Sequence, residues 1–207
     1  LEVILSGCSR KREIEVKTYE TGSFTDTRDG KTYTTIKIGE QWVMSENLAY
    51  KPEMGNFWAY DNDTNNVRVY GYLYDWETAK NVAPTGWHLP TDLDWKTLRK
   101  SLGGKRDVYK YLGGTMEKVF KQMAVGGCGF NALMAGIRWS DGSFMYQGEI
   151  THFWSSSKSR DGQCFYTLDA KIDGKPRGLL DSKEGNATFS SHQNHPTWGK
   201  SVRLFKD

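Results

Sequence analysis

The chain has 207 residues with 8 Trp, 11 Tyr, 9 Phe, 22 Gly and only 5 Pro, which excludes a disordered or proline-rich chain and supplies bulk for a core. A single domain of this length buries roughly two-thirds of the surface its unfolded chain exposes, so neither a metal nor a crosslink is required to hold it together. The 28 basic and 25 acidic side chains leave a net charge of +3, with no basic block beyond Arg10-Lys11-Arg12, which argues against a nucleic-acid partner.

The segment Leu5-Ser6-Gly7-Cys8 resembles a bacterial lipobox, in which cleavage before a lipid-bearing cysteine leaves an anchored chain. On that reading residues 1–7 are a signal-peptide remnant, 8–23 carry Cys8 and a polar tether, and 24–207 form one domain. The membrane is then reached through lipid on Cys8, because no later segment has the apolar length to cross a bilayer. The alternative is an unmodified cysteine on a frayed terminus.

Order is expected from about Phe24. The β-branched run Lys31 to Ile38 lies between turn signals at Asp29-Gly30 and Gly39-Glu40 and is followed by Gln41 to Met44, which predicts a hairpin. From Asn56 to Tyr74 aromatic residues interleave with a polar loop, Asp61 to Asn66. Asp75 caps a short helical segment through Ala79. Thr91 caps a second one, with Asp94 in the place of the capping-box Glu and Trp95, Leu98 and Leu102 on one face, before Gly103-Gly104 ends it. A further helix is expected over Met116 to Met123. Strands and turns follow: Phe130 to Trp139, a turn at Asp141-Gly142, Thr151 to Ser155, Cys164 to Leu168, a turn near Asp173-Gly174, and a last strand Ser201 to Phe205. Helices first and strands later in one uninterrupted run predict a mixed α+β domain.

Several of these segments carry a resemblance when read in order: DGKTYTTIKIGEQWVMSENL from Asp29 to Leu48, YGYLYDW from Tyr70 to Trp76, GWHLPTDLDW from Gly86 to Trp95, GFNALMAGIR from Gly129 to Arg138, FWSS from Phe153 and SVR from Ser201. Together, over about residues 24 to 207, they resemble the Fibrobacter succinogenes major paralogous domain family of exported, often lipid-anchored proteins found in Bacteroidetes and Fibrobacteres. The Gly-Trp-His-Leu-Pro-Thr segment is also similar to its counterpart in formylglycine-generating enzymes. This implies a C-type-lectin-like architecture: a twisted antiparallel sheet, two main helices and terminal strands brought together. It implies an address at the outer membrane or cell surface and no settled activity. Family members commonly carry cysteines where this chain has Ala83, Leu204, Ala59 and Val67, which implies that two bridges are missing here. Cys128 and Cys164 remain in the domain, either as a bridge, closing about 37 residues and contributing about 4 kcal/mol, or as two buried thiols.

For function, Trp58, Tyr60 and Tyr72 beside Asp61, Asp63 and Asn65 suit recognition of a surface glycan or an envelope protein, since flat rings stack and amide or carboxylate groups fix orientation. Tyr70 and Tyr74 lie near the same loop, whereas Trp42, Trp87, Trp95, Trp139 and Trp154 read as core. Asp61, Asp63 and Asn65 have the spacing that opens a calcium loop, but Asn66 stands where an EF-hand needs Gly and Tyr72 where it needs Glu. A calcium ion held partly by backbone carbonyls is one reading, and a solvated turn is the other. His192 and His195, with His88 or His152, contain the nitrogens for a three-histidine metal site. FWSSS is not the nucleophile elbow Gly-x-Ser-x-Gly. The expectation is therefore a noncatalytic recognition or structural module without a resident cofactor, with an accessory subunit of an envelope complex and a metal-dependent enzyme as alternatives.

Overall fold

The computed structural model describes residues 19–102, 128–159, 162–169, 177–181 and 195–207. Cys8, residues 1–7, most of the expected tether, Gly103-Gly104, the helix expected over Met116 to Met123, the turn near Asp173-Gly174 and His192 lie outside the described residues.

Strand β1 (Thr21–Thr25) pairs antiparallel with β2 (Thr32–Ile38), which pairs with β3 (Gln41–Met44). The expected hairpin is thus present, and the chain is ordered earlier than expected. Thr21 to Ser23, polar enough to suggest tether, pair with Ile36 to Thr34 through backbone groups, which hydropathy does not report. Next come β4 (Phe57–Trp58), two single 3-10 turns at Tyr60–Asn62 and Thr64–Asn66, a one-turn helix α1 (Val67–Tyr70) and β5 (Leu73–Tyr74).

Helix α2 (Trp76–Asn81) starts where Asp75 accepts the backbone N–H of Thr78, and its Trp76 and Ala79 are buried. After β6 (Trp87–His88), helix α3 (Asp92–Ser101) opens with the predicted capping box between Thr91 and Asp94 and buries Trp95 and Leu98, with Leu102 buried at its C-terminal cap. The remaining strands are β7 (Ala135–Arg138), β8 (Phe144–Gln147), β9 (Ile150–Ser159), β10 (Gly162–Asp169), β11 (Arg177–Asp181), β12 (Lys200–Ser201) and β13 (Phe205–Lys206). Among the described residues no helix is long and apolar enough to cross a membrane.

The result is a mixed α+β fold whose sheet curls into a partial barrel. Among the described residues, one five-stranded sheet runs β1-β2-β3-β13-β6, and an eight-stranded one runs β11-β10-β9-β12-β5-β4 with β7 and β8 attached. The expectation of an antiparallel sheet is corrected: β9 receives β12 and β7 in parallel and β10 antiparallel. Thr151, His152, Phe153, Trp154 and Ser155 on β9 are all buried, as both faces of a central strand are.

The strand expected over Ser201 to Phe205 is instead two short ones in different sheets. Between them Val202 O accepts from Leu48 N at 2.9 Å and Leu204 O from Met44 N at 3.1 Å, so this run seams the two sheets together. Only the last part of the expected Phe130 to Trp139 strand is extended pairing, because the backbone at Phe130 and Asn131 is diverted to a buried guanidinium.

That guanidinium belongs to Arg203, fully buried between the two core clusters. Its Nε donates to Asn47 Oδ1 at 2.6 Å, Nη1 to the carbonyls of Met44 (3.0 Å) and Phe130, and Nη2 to Asn131 O at 2.8 Å. Asn47 in turn donates to Tyr70 O at 2.8 Å and Ser201 Oγ at 3.3 Å. Burial pushes Arg203 down to about 9, which leaves it cationic at neutral pH. Three of the segments that carried the family resemblance, SENL, GFN and SVR, therefore meet at one buried polar junction. Ala83 and Leu204, where bridging cysteines were implied in relatives, sit in the same apolar cluster, so packing occupies that position here.

Candidate functional site

The aromatic residues singled out in the sequence fall into two groups. Tyr74 is fully buried and its hydroxyl donates to Tyr50 O at 2.7 Å, so it belongs to the core. The Tyr70 carbonyl accepts from Asn47 Nδ2, and Tyr72 packs edge-on against Phe57 at 5.1 Å. Trp58 and Tyr60 are half-buried and lie toward the surface formed by β4, the 3-10 turns, β7 and β8.

Neither is a bare platform. The Arg138 guanidinium covers one face of Trp58 at 4.0 Å from the ring centre and lies 5.9 Å from the Phe144 ring. Tyr60 packs against Phe144 at 5.3 Å. Strand β7 brings Arg138 here because Arg138 N and O bridge Gly199 O and N, at 3.0 and 2.9 Å. Gly199 also has no side chain to obstruct the packing: a Cβ there would meet Trp58 Cε3 at 3.1 Å and Arg138 Cβ at 3.0 Å. Gly136 is more constrained still, with φ 72° and a would-be Cβ 2.6 Å from both Met145 O and Tyr60 Cε2.

The loop at the rim is tied down by its own side chains. Asp63 Oδ1 accepts from Asn65 N at 2.9 Å and Asn65 Nδ2 at 2.8 Å, and Asn66 links Tyr60 O (3.0 Å) to Gln147 Nε2 (3.4 Å). Asp61, Asn62 and Tyr146 hold left-handed φ values of 56°, 57° and 67°, a conformation that costs energy in residues with a side chain. Burial pushes the Tyr60 hydroxyl up, against an opposing hydrogen bond from the Gln147 backbone, so it remains a protonated donor at neutral pH. Asp61, Asp63 and Asn65 are exposed, and the two side chains of Asp63 and Asn65 bond to each other, the arrangement of the solvated-turn alternative.

The three described histidines have separate partners, and His192 lies outside the described residues. His88 bonds Asp207 Oδ1 at 2.7 Å and Asp94 Oδ2 at 3.3 Å, His195 bonds Thr197 Oγ1 at 2.7 Å, and His152 is buried against Phe165 at 4.7 Å. Among the described residues no group of three or more His, Cys, Asp or Glu side chains could hold a metal ion. Cys128 is buried in the first core cluster, and the side chain of Cys164 lies outside the described residues. Trp95 and Trp154 are core as expected, whereas Trp42, Trp87 and Trp139 are only half-buried.

One unusual group was not singled out in the sequence. Lys200 is fully buried on β12, with Nζ 4.1 Å from the Trp154 ring centre, 4.4 Å from Trp198 and 4.5 Å from Phe165. Its amine has no hydrogen-bond partner among the described residues. Burial pushes it well below the ordinary lysine value, and Lys200 together with burial pushes neighbouring His152 down, burial being the larger cause. Only the tertiary fold could reveal this cage, since its rings come from β9, β10 and the chain just before β12.

In comparison with known proteins, the family described as the Fibrobacter succinogenes major domain matches residues 36–204. No curated protein matches, and neither does any solved structure.

Proposed function

We propose that this chain, which belongs to the Fibrobacter succinogenes major domain family, is a noncatalytic recognition module that binds carbohydrate through the Trp58, Tyr60, Arg138 and Phe144 surface. The observation that carries the reading is the Arg138 guanidinium stacked on Trp58 beside the Tyr60–Phe144 pair. Rings held at fixed tilt next to hydrogen-bonding groups suit a pyranose, which has an apolar face and a polar rim. The strained, cross-tied 3-10 loop keeps that surface preorganised, so little ordering entropy is lost on binding.

A C-type-lectin-like architecture and an address outside the cytoplasm belong to the same proposal. Pairing of the last strand β13 with β3 near the start of the domain supports the former, and the lipobox-like Leu5 to Cys8 segment supports the latter. Anchoring is checked by expressing the full precursor with a labelled fatty acid: label is expected in the native chain and absent from Cys8→Ser. Equal labelling of both would reject Cys8 as the anchor.

The binding reading is tested with a glycan array probed by the native chain and Trp58→Ala, each shown to be folded by circular dichroism. Loss of one stacked ring costs about 0.5 to 1.5 kcal/mol, so a roughly two- to tenfold weaker signal is expected from the variant. Undiminished binding by Trp58→Ala, or no glycan retained by the native chain, counts against the site.

A further inference from the structure

Arg138 has hydrogen-bonding capacity beyond what its neighbours use. Its guanidinium has five N–H donors, yet the hydrogen bond it makes among the described residues is from Nη1 to Trp139 O at 3.1 Å. No carboxylate among the described residues pairs with it. The nearest acid in sequence, Asp141, spends its Oδ1 on the backbone N–H and the hydroxyl of Ser143 at 2.9 and 2.7 Å. The Trp58 ring covers one guanidinium face, and Asp141, held below the ordinary carboxylate range chiefly by its bonds to Ser143 and least by Arg138, forms no ion pair with the guanidinium edge. A planar cation held in this way matches a carboxylate, which can accept two parallel N–H bonds.

From this geometry we infer that the ligand is an acidic glycan, a uronic-acid-bearing oligosaccharide whose carboxylate pairs with Arg138 while its ring packs against Tyr60 and Phe144. The inference rests on the recognition reading above and adds the class of ligand. Asp61 and Asp63, just after Tyr60 in sequence, and Asp141, three residues from Arg138, are exposed, so the denser charge of a polyphosphate or nucleic acid is repelled more than a uronate with one carboxylate per sugar ring. Asn62 and Asn65, also exposed on the rim, add neutral donors and acceptors for hydroxyl groups.

The test uses tetragalacturonate and its methyl ester, which keeps the sugar and removes the charge, in titrations of the native chain, Arg138→Gln and Arg138→Lys. Neutral cello- and xylo-oligosaccharides are included, and the melting temperature of each variant confirms folding. The acid is expected to bind at least tenfold more tightly than its ester, with weaker binding at high salt. Arg138→Gln is expected to abolish the difference, and Arg138→Lys to restore only part of it because an ammonium cannot form the paired bonds. Equal affinity for acid and ester, or binding of the neutral sugars alone, overturns the inference and leaves glycan recognition standing. Binding of no sugar at all overturns both.

Discussion

Arg203→Met is expected to remove more than about 4 kcal/mol of stability, enough to leave a marginal domain largely unfolded at physiological temperature. The side chain reaches three buried acceptors, Asn47 Oδ1 and the carbonyls of Met44 and Phe130, and the carbonyl of half-buried Asn131. Methionine fills a similar volume but donates nothing, and each buried acceptor left unpaired costs about 1 to 3 kcal/mol. Arg203→Lys is expected to recover little, since one ammonium cannot span acceptors arranged around a planar fork. Urea unfolding of both variants measures the effect, and a loss below about 1 kcal/mol would mean that water or local rearrangement replaces the guanidinium.

Lys200 is expected to give substitutions of opposite sign. Lys200→Met keeps an unbranched chain among Trp154, Phe165 and Trp198 and removes an amine that has no acceptor among the described residues, which is worth about 1 to 2 kcal/mol of added stability at neutral pH. Lys200→Ala leaves a void between the rings and is expected to lie about 3 kcal/mol below the Met variant. The pH dependence follows from the lowered amine value in the folded chain. Between that value and about 10.4, where an unfolded lysine titrates, the unfolded chain binds a proton that the folded chain lacks. Native stability therefore rises with pH across this window, while Lys200→Met loses that part of the slope. The advantage of Met is greatest at low pH and shrinks toward pH 10. The aromatic faces attract an ammonium and oppose burial; if Lys200→Met is destabilised as far as Lys200→Ala, that attraction dominates.

Much of the local structure is legible in residue order. The β2–β3 hairpin follows from β-branched residues between glycine turns, and the starts of α2 and α3 follow from Asp75 and Thr91 as caps, because these features depend on residues within four positions of one another. The polar strand β1 and the two-residue strands β12 and β13 were not legible as such. Their length is set by what lies beside them rather than by their own composition.

The candidate surface was half visible. Trp58 and Tyr60 stand out as aromatics beside a polar loop, but Arg138 lies about 80 residues further along and reads as the end of a strand, with no local feature marking it as the cover of Trp58. Tyr74 looked equivalent to its neighbours until the fold buried it completely.

The broad class set by composition, the caps and turns, and the family are all readable from residue order, since each rests on near neighbours or on the order of short segments. The packed fold alone makes SENL, GFN and SVR one buried junction around Arg203, sets Lys200 in an aromatic cage, and stacks Arg138 on Trp58 with no carboxylate among the described residues in an ion pair with it. Each joins groups far apart in the chain, and burial, desolvation and ring geometry become defined only when the packed fold brings them within contact distance.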